Sequence, residues 1–186
     1  MKRLFDLVIS LILISLLIPF LTLVCLLILF DSGLPIIFYS KRVGTNGKIF
    51  MMPKFRTMYV GTEIVETNKL KNSSKKITKI GKILRKFSID ELPQLISVIK
   101  GNLSLVGPRP AITSQKKLLK IRKKFGIDKI KPGITGYAQI NGRDFLDLDE
   151  KIYLEKQYMI KKSFFFDLKI LIKTIKKVFA NDDIIN

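Results

Sequence analysis

At 186 residues the chain is long enough for one compact domain plus an accessory segment, and a single cysteine, Cys25, excludes an intrachain disulfide. With 34 Lys and Arg against 15 Asp and Glu the net charge is +19, which calls for an anionic partner: nucleic acid, anionic lipid or a phosphorylated substrate. The absence of histidine excludes a Ser-His-Asp triad, a histidine proton shuttle and histidine-ligated zinc, and 47% hydrophobic residues is high for a soluble nucleic-acid binder.

Between residues 4 and 30 the only charged residue is Asp6. A helix over this run would be about 40 Å long, more than a bilayer core requires. A signal peptide fits poorly, because the run is too long and no small-residue cleavage site follows. Two readings stand. A single spanning helix is the ordinary one. Against it, Pro19 falls near the middle and is expected to break or bend the run. Lys2 and Arg3 at one end, with Lys41 and Arg42 beyond the other, put positive charge on both flanks. A helix that enters, turns at Pro19 and returns to the cytoplasmic face satisfies both features.

Residues 36–43 and 48–59 read as strands joined at Gly44-Thr45-Asn46-Gly47, with Asn46-Gly47 as the hairpin signal. Lys54-Phe55-Arg56-Thr57-Met58 closes the hairpin with cations and a hydroxyl; an edge strand carrying solvated charges would look the same. Gly47-Lys48 lacks the second glycine of a P-loop. Residues 63–76 are polar and read as a connector, with a mobile flap as the alternative.

Two amphipathic helical segments follow, one with Ile80, Ile83, Leu84 and Phe87, the other with Leu92, Leu95, Ile96 and Ile99, stopped by Gly101. Between them lies Ser88-Ile89-Asp90-Glu91-Leu92-Pro93-Gln94. Ser88 and Glu91 have the spacing of a capping box, and Asp90 as N-cap would put Pro93 in the first turn. Either start places both carboxylates at the positive end of a helix dipole. Caps of this kind are common, but Arg85 precedes the pair and Arg109 follows between two prolines. Carboxylates for a divalent metal beside arginines for phosphate are the parts of a phosphoryl-transfer site. Prolines fix the Arg109 turn, and an arginine fork suits phosphate oxygens.

Residues 116–131 read as a basic amphipathic helix on a membrane surface, with a solvated charged helix as the alternative. Residues 131–143 form a glycine-punctuated loop ending at Arg143, where glycines allow close approach to a ligand or simply make turns. Ser163 is a candidate N-cap for a last helix. Its Phe165, Leu168, Ile172, Ile175 and Phe179 recur every three or four residues; a core-packed helix would look the same on its apolar side, and the aromatic entry and flanking lysines favour an interfacial helix.

Taken together, Lys2-Arg3-Leu4-Phe5-Asp6, Lys54-Phe55-Arg56-Thr57-Met58, Ser88 to Gln94, Val106-Gly107-Pro108-Arg109-Pro110, Pro132-Gly133-Ile134-Thr135-Gly136, Asn141-Gly142-Arg143 and Phe166-Asp167-Leu168-Lys169 resemble the monotopic phosphoglycosyl transferases, the bacterial initiating sugar transferases. The resemblance covers nearly the whole chain. It implies transfer of a sugar 1-phosphate from a UDP-sugar to polyprenyl phosphate, giving polyprenyl diphosphate sugar and UMP, as the first membrane step of a bacterial glycoconjugate. Asp90 takes the nucleophile's position. Glu91 is carried over as a metal or positioning residue, with Asp90 and Glu91 holding Mg2+. Lys54, Arg85, Arg109 and Arg143 are the phosphate-binding set.

The implied fold is a small membrane-associated α/β domain. Residues 1–33 would form a re-entrant helix-break-helix, and residues 34–186 a catalytic domain with a β-hairpin and interfacial helices on the cytoplasmic face of the inner membrane. Membrane lipids are partners, nucleic acid is not, and the oligomeric state is left open, a homodimer among the alternatives. Two departures stand out. The family's Ser-Pro pair is Ile18-Pro19 here, with Ser15 a candidate to replace the hydroxyl, and Tyr137 stands where many members have Trp. Two rivals are a membrane-anchored nucleic-acid binder, for which no helix-turn-helix or RNP signature appears, and a catalytically dead scaffold, against which the intact Asp90, Glu91 and Arg109 weigh.

Overall fold

The computed structural model describes residues 1–62, 76–142 and 145–180. Most of the expected connector 63–76, together with Arg143 and the side chain of Phe179, lies outside them.

Helix α1, Lys2–Ser32, is long and apolar enough to cross a membrane. Helical structure continues through Pro19, so the expected break is not a non-helical gap. A proline removes only its own N–H from the ladder, and neighbouring turns keep theirs. The hydroxyl bonded beside it is that of Thr22, which donates to the Ile18 carbonyl at 2.9 Å, rather than that of Ser15.

Both ends of α1 are fastened to the same body. At the start, Lys2 pairs with Asp167, Arg3 donates to the Val98 and Ile99 carbonyls (2.5 and 2.8 Å), and buried Asp6 accepts from the Ser104 hydroxyl at 2.7 Å. At the end, Arg56 donates through Nη2 to the carbonyls of Ser32 (2.6 Å) and Gly33 (2.7 Å), and Asp31 accepts from the Ile80 N–H at 3.0 Å. Arg56 therefore serves as a cation at a helix C-terminus, where the dipole favours it. Between these fastenings Phe5, Ile9, Leu13 and Ile14 pack on one core cluster, and Leu21, Val24, Cys25 and Ile28 join another. The opposite side of α1, with Leu4, Leu16 and Phe30, is exposed.

The predicted hairpin is present as β1 (Ile37–Val43) and β2 (Ile49–Phe55), paired antiparallel with Phe38 opposite Lys54 and Arg42 opposite Phe50. Asn46 and Gly47 take positive φ in the turn (54° and 75°), as that dipeptide readily does. Helix α2 (Lys79–Lys86) is capped by the Thr78 hydroxyl, which accepts from the Gly81 N–H at 2.9 Å. A 3-10 turn (Ile89–Gln94) leads into α3 (Leu95–Ile99), which Gly101 ends with φ 85°.

Strand β3 (Ser104–Val106) pairs parallel with β5 (Gly133–Thr135), and β4 (Ala111–Ile112) adds to β1. Two glycines of the 131–143 loop, Gly133 and Gly136, serve this pairing. A Cβ on Gly133 would lie 2.1 Å from the Gly107 nitrogen, and one on Gly136 would lie 2.1 Å from the Gly107 carbonyl oxygen. The strands thus approach backbone to backbone, and Gly133 N–H donates to the Pro108 carbonyl at 3.0 Å, steadying the turn that carries Arg109.

Helix α4 (Lys116–Lys124) is shorter than the predicted basic helix, because Gly126 at φ 72° turns the chain. Its apolar face is core: Leu118 packs with Ala111, Ile127 and Ile152, the last from α5 (Leu148–Lys161). Asp147 and Glu150 form a capping box at the start of α5. In α6 (Phe164–Ala180) the Ser163 hydroxyl accepts from the Phe166 N–H at 3.2 Å, as its predicted cap. The stripe Phe165, Leu168, Ile172 and Ile175 is exposed, while Asp167 and Ile170 on the other side are buried.

Candidate active site

The acid pair is built by a reversal of the chain. Ser88, between α2 and the 3-10 turn, adopts the left-handed region at φ 54°, a conformation that costs a non-glycine residue about 1 kcal/mol. Asp90 and Glu91 then fold under the hairpin and are both 8% exposed. The capping box expected from Ser88 is not formed, and Asp90 lies within the 3-10 turn instead of capping it. The Glu91 carboxylate turns to cations contributed by other elements.

Lys54, the penultimate residue of β2, places Nζ 2.6 Å from Glu91 Oε1 and 3.7 Å from Asp90 Oδ2. It is not the solvated edge charge that its strand also allowed. Arg109 Nη2 donates to the same Glu91 oxygen at 2.9 Å. Arg85, in the last turn of α2, donates through Nε to Thr57 Oγ1 at 2.8 Å and faces Asp90 electrostatically. Burial lowers the Arg85 pKa, and Asp90 opposes that shift. Burial also raises the Asp90 pKa, outweighing Lys54; Glu91 adds to the rise, while Arg85 and Arg109 oppose it. A carboxylate kept from water in this way is weakly solvated and therefore reactive when ionised.

Four of the sequence-predicted phosphate and acid positions thus meet around Asp90: Glu91, Lys54, Arg85 and Arg109. Pro19 lies apart, in α1. The sequence reading missed Arg42. It donates to the Ser40 hydroxyl (3.2 Å) and the Pro110 carbonyl (3.3 Å) and senses both Arg109 and Glu91. Burial, then the Arg109 charge, pushes its pKa down to about 10, with Glu91 opposing, so it stays charged at neutral pH. A signal was available: hairpin register puts Phe38, Ser40 and Arg42 on the face of Lys54. Also missed was the buried Arg122–Glu155 pair, in which Arg122 donates to both Glu155 oxygens (2.8 and 2.5 Å) and to the Arg109 carbonyl at 2.9 Å. No local pattern announces a pair 33 residues apart.

Glu91 also borders an apolar cleft of about 380 Å³. Ser88, Leu92, Leu105, Ile134, Leu171 and Ile175 line it with Glu91, so it leads from the carboxylates to a residue of the exposed α6 stripe.

Among the described residues no group of three metal-ligating side chains occurs. Two adjacent carboxylates nevertheless suit magnesium, which commonly binds through one or two carboxylates and completes its shell with water and substrate phosphate. The structure thus gathers an acid pair and the cations Arg42, Lys54, Arg85 and Arg109 beside an apolar cleft, on an α/β body that carries a long apolar helix.

A family model described as bacterial sugar transferase matches residues 1–181. The chain is 41% identical over 184 residues to an uncharacterized sugar transferase, EpsL, of Bacillus subtilis (strain 168), covering 99% of this chain and 90% of that protein. It is 40% identical over 191 residues to an undecaprenyl-phosphate glucose phosphotransferase of Komagataeibacter xylinus, with 95% of this chain and 35% of that protein covered. It is 35% identical over 188 residues to a UDP-glucose:undecaprenyl-phosphate glucose-1-phosphate transferase of Escherichia coli (strain K12), with 97% and 40% covered. The chain belongs to the bacterial sugar transferase family, a family of phosphoglycosyl transferases.

Proposed function

We propose that the chain transfers a sugar 1-phosphate from a UDP-sugar to polyprenyl phosphate through a phosphosugar adduct on Asp90, releasing UMP. This would be the first membrane step of a bacterial glycoconjugate pathway. The observation that carries the reading is the charge balance of the site: two carboxylates faced by Arg42, Lys54, Arg85 and Arg109 leave positive charge for a diphosphate. The apolar cleft bordered by Glu91 suits an isoprenoid acceptor, and the names of the Komagataeibacter and Escherichia relatives specify undecaprenyl phosphate.

In the first half-reaction an Asp90 oxygen bonds to the sugar-bearing phosphorus, and the bond to the bridging oxygen breaks with its electron pair leaving on UMP. In the second, an oxygen of the acceptor phosphate attacks the same phosphorus and the Asp90 carboxylate leaves. A phosphate monoester is already largely ionised near neutral pH, so no histidine base is required. Lys54 and Arg109 hold the Glu91 carboxylate in place, and Arg85 balances the Asp90 charge. Mg2+, held by Asp90 and Glu91, supplies charge neutralisation for the diphosphate when bound. A radiolabelled UDP-sugar assay with polyprenyl phosphate tests the reading. Magnesium-dependent UMP release supports it, and none across a panel of UDP-sugars including UDP-glucose refutes it. In this assay Arg109→Lys is expected to lose about tenfold or more in turnover, because a point charge replaces a bidentate fork. Wild-type turnover would reduce Arg109 to a loop residue.

The same reading makes the chain monotopic, on the cytoplasmic face of the inner membrane. Helix α1, about 46 Å long, has Arg3 and Asp6 at one end and Ser32 at the other fastened to one body. A straight crossing would put those contacts on opposite sides of the bilayer. The exposed stripe of α6 and the outer side of α1 supply the interfacial surface. A cysteine placed at the extreme N-terminus is expected to be labelled only from the cytoplasm. Labelling from outside would overturn the re-entrant arrangement.

A further inference from the structure

Arg42 has no ion-pair partner among the described residues; Glu91 offsets its charge only from a distance, against the stronger effects of burial and Arg109. The hydrogen bonds of Arg42 go to a hydroxyl and a carbonyl, and another arginine is its neighbour. A guanidinium drawn out of water in this way is costly unless an anion completes it. The folded chain holds it there from two sides. Strand register with Phe50 and Ile112 places Arg42 between β2 and β4, and its own bond to the Pro110 carbonyl ties it to the turn that presents Arg109. Arg122 grips the preceding carbonyl, that of Arg109, so the two arginines that would meet the ligand are kept in a fixed relation.

We infer that Arg42 and Arg109 form a subsite for a phosphate monoester dianion, which under the proposed reaction is the nucleoside monophosphate leaving the donor. The assignment rests on that reaction. Arg109 bonds the Glu91 oxygen that Lys54 also holds, so it sits at the carboxylate side of the site. Arg42 makes no such ion pair; its guanidinium bonds only the Ser40 hydroxyl and the Pro110 carbonyl, beside the turn that presents Arg109, and under the proposed reaction it would meet the departing phosphate. When the bridging bond breaks, the electron pair stays on the departing phosphate, and a second guanidinium there stabilises the charge that develops. Neither arginine lines the apolar cleft, whereas Glu91 does, which separates the subsite from the place suited to the isoprenoid chain. The acceptor carries the same chemical group, a phosphate monoester, and the experiment distinguishes the two sources.

The full chain in detergent is treated with phenylglyoxal, alone or with UMP or polyprenyl phosphate, and modification of Arg42 is read by peptide mass spectrometry. UMP is expected to protect Arg42. Protection by polyprenyl phosphate and not by UMP would keep the phosphate subsite and assign it to the acceptor. In parallel, Arg42→Gln is expected to weaken UMP binding, measured by calorimetry, by about tenfold or more. The apo variant should melt no lower than wild type, and UMP should no longer raise its melting temperature. A purely structural arginine would instead lower the apo melting temperature and leave the UMP-induced shift intact. If neither ligand protects Arg42 in a wild-type protein that releases UMP from UDP-sugar, the inference fails while the reaction stands. If the wild type releases no UMP from any UDP-sugar, the reaction itself fails.

Discussion

Asp90→Asn is expected to give a folded, membrane-bound protein with no turnover and no covalent adduct. Asparagine preserves the size and much of the hydrogen bonding of the side chain but supplies no anionic oxygen to bond to phosphorus. Intact-protein mass spectrometry after incubation with UDP-sugar and no acceptor reads the result directly. The wild type should gain the mass of a sugar phosphate, and the variant should gain nothing. An adduct on the Asp90→Asn protein would place the nucleophile elsewhere. The same substitution separates function from stability. Burial raises the Asp90 pKa above its unfolded value, so the folded state holds its proton more tightly. Above both values the ionised group opposes folding; below the unfolded value, near 4, it is protonated in both states and the cost disappears. In EDTA the variant is therefore expected to melt above wild type at pH 7–8, with the difference shrinking as the pH falls toward 4. A variant that melts lower at neutral pH would show that Asp90 is held by favourable contacts that outweigh its desolvation.

Glu155→Ala is expected to be the most damaging change outside the carboxylates. Glu155 is 1% exposed and gives both oxygens to Arg122, itself buried. Removing the acid leaves a buried guanidinium without its counter-charge, a loss of roughly 3–5 kcal/mol. For a chain of this size that corresponds to a fall in melting temperature on the order of 10 °C. Activity should fall as well, because Arg122 also holds the Arg109 carbonyl. The double replacement Arg122→Met with Glu155→Leu separates the two effects. It removes both charges and fills similar space, so much of the stability should return. Turnover should stay low, because the Arg109 carbonyl has lost its donor. Thermal melting and UMP release on the same preparations measure this, and recovery of both together would make the pair a packing element only.

Much of the site was legible because its parts are local. Asp90 and Glu91 are adjacent, Arg85 lies one short turn earlier, Arg109 is framed by prolines and Lys54 closes a hairpin marked by Asn46-Gly47. Short motifs carry such information, since a turn signal or a helix start depends on a few neighbouring residues. Where expectations went astray, a distant contact had taken over a local feature. Ser88 and Glu91 have capping-box spacing, but Lys54 and Arg109 draw Glu91 away. The glycines at 133 and 136 left a ligand cradle and ordinary turns equally open, and what they admit is the Gly107 backbone. Helix α4 looked like a surface helix throughout, yet Leu118 and Arg122 point into the core, where Ile152 and Glu155 on α5 receive them.

The sequence by itself determined that the chain is basic, carries a long apolar N-terminal segment, does its chemistry without histidine, and places an acid pair between two helical segments beside arginines. These properties follow from composition and from periodicities of a few residues. The tertiary structure alone decided which cations reach the carboxylates, that Arg42 joins Arg109, that Arg122 and Glu155 support the arginine turn, and that both ends of α1 return to one body. It also decided which side of α6 is buried: a stripe at helical spacing marks an apolar face, but the Phe165–Ile175 stripe faces outward because Asp167 and Ile170 on the other face meet the core. Such choices depend on contacts between residues far apart in the chain, and a one-dimensional pattern carries the period of a face but not its neighbour.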